Sequence, residues 1–423
     1  MKKAVLTGLL AVCTLLAQAQ ETPKTGWVFT PMPNISYNSD VGLNLGAFSD
    51  FFYYGDGTIY PNFLHHAGFS AAFATKGSWY IHGYFESVAL IPGLRINATA
   101  TYRDARANEF YGYNGIASPF YGEYHLNKET RTAWYTNRRR FFRASASIQG
   151  KLDPPMKWLA GLVFRHVAIS DFDLKNYDSG KSLYLEYIRR DLIHADEAGG
   201  GNSLELKAGL SYDTRDIELA PQKGIFAEGY LVGNADLDHW KYNYAQIVLH
   251  WRHYVTLFPE RLIFAYHLGL QHTFAGELPF YNINELATLF YTYEENSGLG
   301  SRYSVRGFRY NRIAAAGYAW ANVELRVTPF KFNLFKQHFD IVLNPFLDLA
   351  SITKTYRLDR QKILIMDDAM NIYQERKLPV MASAGIGAKL HMNTNFILSV
   401  DFAKAFDPQL SEFTVGMATT YVF

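Results

Sequence analysis

The sequence predicts an all-β fold, a transmembrane antiparallel β-barrel of about 16 strands. Three observations predict it. The chain ends on an alternating segment, with Phe413, Val415, Met417, Thr419, Tyr421 and Phe423 on one face and Thr414, Gly416, Ala418 and Thr420 on the other. That is the period-two pattern of a strand with one side in lipid. Aromatic residues make up 16% of the 423-residue chain, with 30 Tyr and 31 Phe, which exceeds the needs of a soluble core and suits girdles at two membrane interfaces. Mean hydropathy is nevertheless only -0.13, and no apolar stretch beyond the N-terminal leader is long enough for a membrane helix. Alternation reconciles these facts, because half of each strand faces lipid and half a polar lumen.

Met1-Lys2-Lys3 is a short basic start, Ala4 to Ala17 is apolar, and Ala17-Gln18-Ala19 is an A-x-A cleavage pattern. Residues 1–19 are therefore expected to be a removed signal peptide, 20–26 a short periplasmic segment and 27–423 the barrel. The only cysteine, Cys13, lies in the leader, so the processed chain would carry no disulfide, no thiolate nucleophile and no cysteine metal site. Without Lys2 and Lys3 the formal charge of +2 falls to neutral, which leaves no basic excess for nucleic acid.

Strand-like segments follow at 204–212, 224–232, 244–256, 262–272, 318–327, 339–349, 381–391, 396–403 and 412–423. In 262–272 the apolar face is Leu262, Phe264, Tyr266, Leu268 and Leu270, with His267, Gly269 and Gln271 opposite. Connections alternate in length. Ile91-Pro92-Gly93, Asp153-Pro154-Pro155, Phe258-Pro259-Glu260 and Asn393-Thr394-Asn395 read as tight turns, whereas 106–130, 171–201, 276–316 and 351–377 are long. Short periplasmic turns and long external loops are the outer-membrane arrangement, with both termini periplasmic. Pro345 interrupts an otherwise good strand and calls for a bulge.

The first strand carries Pro31 and Pro33, which share parity, so both missing N–H donors fall on one edge. A hairpin through Asn38-Ser39-Asp40 commits the other edge to the second strand. The weakened edge would then meet the terminal strand, with Tyr421 and Phe423 on the far side of that seam. A start-of-strand role for the prolines is the plainer alternative.

Two motifs are more specific. Ser304-Val305-Arg306-Gly307-Phe308-Arg309 stands late in the longest loop, after Leu278-Pro279-Phe280-Tyr281. Asp213-Thr214-Arg215-Asp216, followed by Pro221 and Gly224, closes one strand and opens the next. Together with the aromatic end they resemble the barrels of the bacterial surface antigen family, which includes BamA, TamA and the two-partner secretion transporters. The resemblance runs from near Trp27 to Phe423. It implies that the loop containing Val305, Arg306, Gly307 and Phe308 folds back into the lumen and that its arginine docks on acidic wall residues. Alternation supplies the candidates. With Leu343, Leu347 and Leu349 toward lipid, Asn344 and Asp348 face inward, as do Asp401 and Glu324. Asp348, in Pro345-Phe346-Leu347-Asp348, is the first choice, Asp401 the second and Glu324 the third. Asp213 and Asp216 are expected to cap turn amides with Arg215 bridging them, and Pro221 and Gly224 to reverse the chain.

The resemblance implies a barrel that assists insertion, assembly or translocation of proteins, or of lipids, at the Gram-negative outer membrane. One departure stands out: the family's periplasmic polypeptide-transport-associated domains have no counterpart before Trp27. A separate periplasmic or outer-membrane protein partner is therefore expected beside membrane lipid, with no nucleic acid. A passive channel and an accessory scaffold barrel are the alternatives. No H-E-x-x-H, G-x-S-x-G or phosphate-binding glycine loop occurs, so no enzyme, metal or cofactor is expected. His250, His253, His267, His272 and His65-His66 fall where packing or lumen hydrogen bonds explain them.

Overall fold

The computed structural model describes residues 23–38, 42–60, 62–288, 298–300, 304–334, 337–357, 372–374, 376, 378–392, 396–411, 413–418 and 421–423. The leader with Cys13, the turn residues Ser39 and Asp40, the turn 393–395, and Glu412, Thr419 and Thr420 lie outside the described residues.

Sixteen strands form one antiparallel sheet in strict sequence order. They are β1 (Trp27–Asn38), β2 (Gly42–Tyr53), β3 (His65–Ala74), β4 (Trp79–Ser87), β5 (Leu94–Glu109), β6 (Thr136–Lys151), β7 (Met156–Asp171) and β8 (Gly200–Asp213). The second half holds β9 (Gly224–Asp236), β10 (Tyr244–Phe258), β11 (Leu262–Gly276), β12 (Gly317–Leu334), β13 (Gln337–Lys354), β14 (Met381–Met392), β15 (Phe396–Ala405) and β16 (Thr414–Ala418). Among the described residues no helix is long and apolar enough to cross a membrane. The strands make a barrel with an inverted pattern of burial: Leu268 on β11 is 49% exposed while its neighbour His267 is 3% exposed. Apolar side chains point outward to lipid, and polar ones are enclosed in the lumen.

Two expectations need correction. The terminal strand was expected over 412–423 with Tyr421 on its lipid face; among the described residues β16 spans Thr414–Ala418. Val415 and Met417 face outward as alternation requires, whereas Tyr421 is buried and its ring lies against lumen groups. Pro345 does not sit in a bulge. The β12–β13 ladder is interrupted opposite it, with no partner recorded for Leu325 or Arg326 between the pairs Glu324↔Phe346 and Val327↔Leu343. A residue with no N–H is thus placed where the ladder makes no demand on it.

Connections leaving odd-numbered strands include the four long ones, 110–135, 172–199, 277–316 and 355–380. Their described parts fold together over one mouth of the barrel. Phe110, Tyr113, Tyr187, Phe280, Tyr281 and Tyr356 belong to one buried aromatic cluster drawn from all four. Polar ties complete this roof. Asn114 and Tyr356 exchange hydrogen bonds of 3.0 and 2.6 Å, and Arg357 donates to the fully buried Glu197 carboxylate at 2.7 and 2.8 Å. Arg312 donates to the main-chain oxygens of Gln409, Gly115 and Ser118 at 2.7, 2.9 and 2.8 Å.

Candidate functional site

Strands β12 to β15 turn a row of polar side chains into the lumen because each alternates with lipid-facing apolar residues. Asn322, Glu324 and Arg326 come from β12, Asn344 and Asp348 from β13, Ser383 and Lys389 from β14, and Ser399 and Asp401 from β15; all are buried. Onto this wall comes the loop from β11 to β12, with Val305, Arg306 and Phe308 no more than 3% exposed.

Arg306 meets Asp348 as a fork. Its Nε donates to Asp348 Oδ2 at 2.9 Å and its Nη2 to Oδ1 at 2.8 Å, while the Arg306 main-chain N–H donates to Oδ2 at 2.9 Å. Nη1 donates to Glu324 Oε2 at 2.9 Å. The planar guanidinium lies 3.5 Å over the Phe346 ring, which fills the face that hydrogen bonds leave open. The loop backbone is also held, because Asn322 Nδ2 donates to Ser304 O at 2.7 Å and Ser383 Oγ donates to Arg306 O. Gly307 adopts φ +87, and a Cβ there would lie 2.9 Å from the Ser383 Cβ and 3.1 Å from the Ala403 Cβ. Glycine is required twice over, by conformation and by space. Val305 and Phe308 pack with Leu299, Ile313, Tyr318 and Trp320, which anchors the tip apolarly on both sides of the arginine.

The order of the carboxylates differs from expectation. Glu324 bonds Arg306 directly, while Asp401 stays 3.9 Å from Nη1. The reason is Lys389, whose Nζ lies 3.3 Å from Asp401 Oδ1 and donates to Ser399 Oγ at 2.7 Å. Arg326 joins from below, its Nε donating to Glu324 Oε1 at 2.8 Å. Three cations (Arg306, Arg326, Lys389) thus face three carboxylates (Glu324, Asp348, Asp401). Arg326 and Lys389 escaped the sequence reading, although inward parity with Glu324 and Ser383 would have found both.

The turn after β8 is internally bonded. Arg215 pairs with Asp213, donating from Nε at 2.9 Å and Nη2 at 2.8 Å, while its Nη1 donates to Glu218 O at 3.0 Å and the guanidinium lies 4.1 Å over Phe226. It does not bridge to Asp216. Asp216 Oδ1 instead accepts from the N–H groups of Ile217, Gln222 and Lys223 at 3.0, 3.0 and 3.3 Å. Gly224 has φ +105, and a Cβ would stand 2.3 Å from Thr214 O. The Pro221 main-chain oxygen accepts from Arg326 Nη1 at 3.3 Å, which ties this turn to the wall.

At the seam, β1 pairs with β2 from Trp27↔Tyr53 to Asn38↔Gly42, so Pro31 and Pro33 lie inside a paired strand rather than before it. Gly26 N–H donates to Gly55 O at 2.8 Å and Gly26 O accepts from Tyr54 N–H at 2.9 Å. Groups of even-numbered residues therefore point to β2, and those of Pro31 and Pro33 point to the free edge. That edge approaches β16 within 8 Å, yet among the described residues no ladder joins the two strands. Tyr421 and Phe423 are not on the seam. Tyr421 Oη lies 2.9 Å from His391 Nε2, and the Phe423 ring lies 5.5 Å from His267 and 6.3 Å from Tyr254.

With this geometry established, the sequence comparison is decisive: residues 66–420 match the Omp85 superfamily domain. The chain belongs to the Omp85 superfamily. Among solved structures this Omp85 barrel is similar to BamA from Haemophilus ducreyi lacking POTRA domains 1-3, with TM-score 0.57 and 16% identity over 94% of this chain and 70% of that one. CdiB from Escherichia coli aligns with TM-score 0.53 and 14% identity, over 94% of this chain and 62% of that one. At such identities the likeness concerns the fold. No curated protein sequence matches. Omp85 barrels reside in the Gram-negative outer membrane and mediate protein insertion or translocation.

Proposed function

We propose that this Omp85 barrel assists the insertion, assembly or translocation of proteins, or of lipids, at the outer membrane, working at the β1/β16 seam while the locked loop keeps the lumen closed. One observation carries the reading: among the described residues the first and last strands lie side by side without a ladder, and the first strand presents two prolines to that gap. An unladdered seam costs few hydrogen bonds to part, whereas every other neighbouring pair is tied by a continuous or nearly continuous ladder. In this reading the short turns and both described chain ends lie on the periplasmic side, the aromatic roof faces outward, and a separate protein partner delivers the client. The roof and the locked loop count against a passive channel.

A cysteine on β1 and another on β16 test the seam. Oxidation should stop assembly of outer-membrane clients in cells and reduction should restore it; full activity with the cross-link complete would overturn the proposal. Affinity purification from cross-linked envelopes tests the partner, and recovery of the barrel alone would favour the channel. Conductance of the purified wild type is the complementary measurement, because a large, steady pore contradicts the closed lumen.

A further inference from the structure

Residues 421–423 converge on one side chain, Arg326. Arg326 Nη2 donates to the Phe423 main-chain oxygen at 3.0 Å, and the same guanidinium lies 3.7 Å over the Tyr421 ring. Its other donors are already placed, Nε on Glu324 Oε1 and Nη1 on Pro221 O. Tyr254 of β10 and His267 of β11 supply the aromatic floor on which Phe423 rests, and His391 of β14 holds the Tyr421 hydroxyl. Tyr421 and Phe423 are thus held inside the lumen against side chains of strands β10, β11, β12 and β14.

We propose that Arg326 is a latch that holds residues 421–423 inside the lumen and couples their position to the Arg306 loop lock through Glu324. The chemistry suits this role. A guanidinium has donors in a fixed fork and two stacking faces, so one side chain serves a carboxylate, a turn carbonyl and an aromatic tail together. Glu324 is the shared element, with Oε1 toward Arg326 and Oε2 toward both Arg306 and Asn344 Nδ2. Withdrawal of the tail lets Arg326 move and weakens the hold on Glu324; release of the loop does the converse, since coupling between two sites is reciprocal. The latch holds whether or not the seam passes a client, so it stands or falls separately from the proposed function.

Hydrogen exchange read by mass spectrometry on the full-length protein in detergent tests it. In Arg326→Gln the peptide covering 421–423 should lose protection by roughly tenfold or more, as expected on removing a charge-assisted bond and a stacked ring. The loop peptide around 304–308 should lose protection with it, while β3 and β4 stay unchanged. Tyr421→Ala, which leaves every Arg326 bond to the wall intact, should free the tail and loosen the loop to a smaller degree. Arg326→Lys should restore part of both effects. Unchanged tail protection in Arg326→Gln overturns the latch, and a freed tail beside an unaltered loop overturns the coupling. Loss of protection throughout the barrel in Arg326→Gln, with Tyr421→Ala silent, would make the residue purely structural and overturn both.

Discussion

Replacing Arg306 by alanine isolates the loop lock. The substitution removes two side-chain bonds to Asp348, one to Glu324, and the contact with Phe346. The two carboxylates then fare differently. Glu324 keeps Arg326 and Asn344, whereas Asp348, 0% exposed, keeps only the N–H of residue 306. Stranding a buried charge in this way costs about 3–5 kcal/mol, which shifts the docked-to-undocked ratio by roughly a hundredfold to several thousandfold. The barrel should survive, because its ladders do not involve the loop, but the loop should leave the wall for much of the time. Planar-bilayer recordings should then show openings absent from the wild type, and cells should become sensitive to large hydrophilic antibiotics. Adding Asp348→Asn should recover part of the loss by removing the stranded charge. Wild-type conductance in Arg306→Ala, from protein that still shows heat-modifiable mobility, would refute the argument.

The other predictions follow from the same contacts. Asp348→Asn should raise conductance far more than Asp401→Asn, since Asp401 lies 3.9 Å from Arg306 and is held chiefly by Lys389; equal effects would place both on the lock. Gly307→Ala combines a positive φ with contacts at 2.9 and 3.1 Å and should destabilise the docked loop by roughly 1–3 kcal/mol, seen as faster exchange at 304–308. In the 172–199 connection, burial raises the Asp196 carboxyl, but hydrogen bonds from Lys241 (2.8 Å) and Tyr242 (2.7 Å) outweigh it and hold the group at about 2, below the usual 3.8. Because the folded value is depressed, this tie is fully present above 3.8 and is lost as pH falls toward 2. Proteolysis of the 195–198 turn should therefore quicken across that window in the wild type, and Asp196→Asn should show no such step.

The fold was legible because a barrel writes itself in alternation. Leu343, Leu347 and Leu349 against Asn344 and Asp348 can be separated by parity alone, and no tertiary information is needed. Parity fails where the strand stops. It carried Tyr421 and Phe423 onward to the lipid face, although their rings meet Arg326 and His267 inside. It is also blind to neighbours. Asp401 is inward as counted, but its partner is decided by Lys389 on the next strand, a matter of register. Loops have no period at all, so nothing in the sequence marked Arg312 as the side chain that ties main-chain oxygens of two other connections into the roof.

The polar character of the lock bears on whether it is permanent. Buried ion pairs are poor filler: exchanging one for well-packed apolar groups is often neutral or stabilising by about 1–4 kcal/mol. A loop meant only to fill the lumen would do better with leucine at 306, 324 and 348, on a wall that already carries Phe346 and beside a tip that already carries Val305 and Phe308. The three-cation, three-carboxylate arrangement gives up some stability and gains two properties. It fixes one docking register, because only one placement of Arg306 satisfies Asp348 and Glu324 together. It also lowers the cost of leaving, since freed charges in a wetted lumen are rehydrated whereas freed apolar surface is not. On the proposed reading the lock is a specific and reversible contact, and Arg326 links its Glu324 to residues 421–423 through two hydrogen bonds.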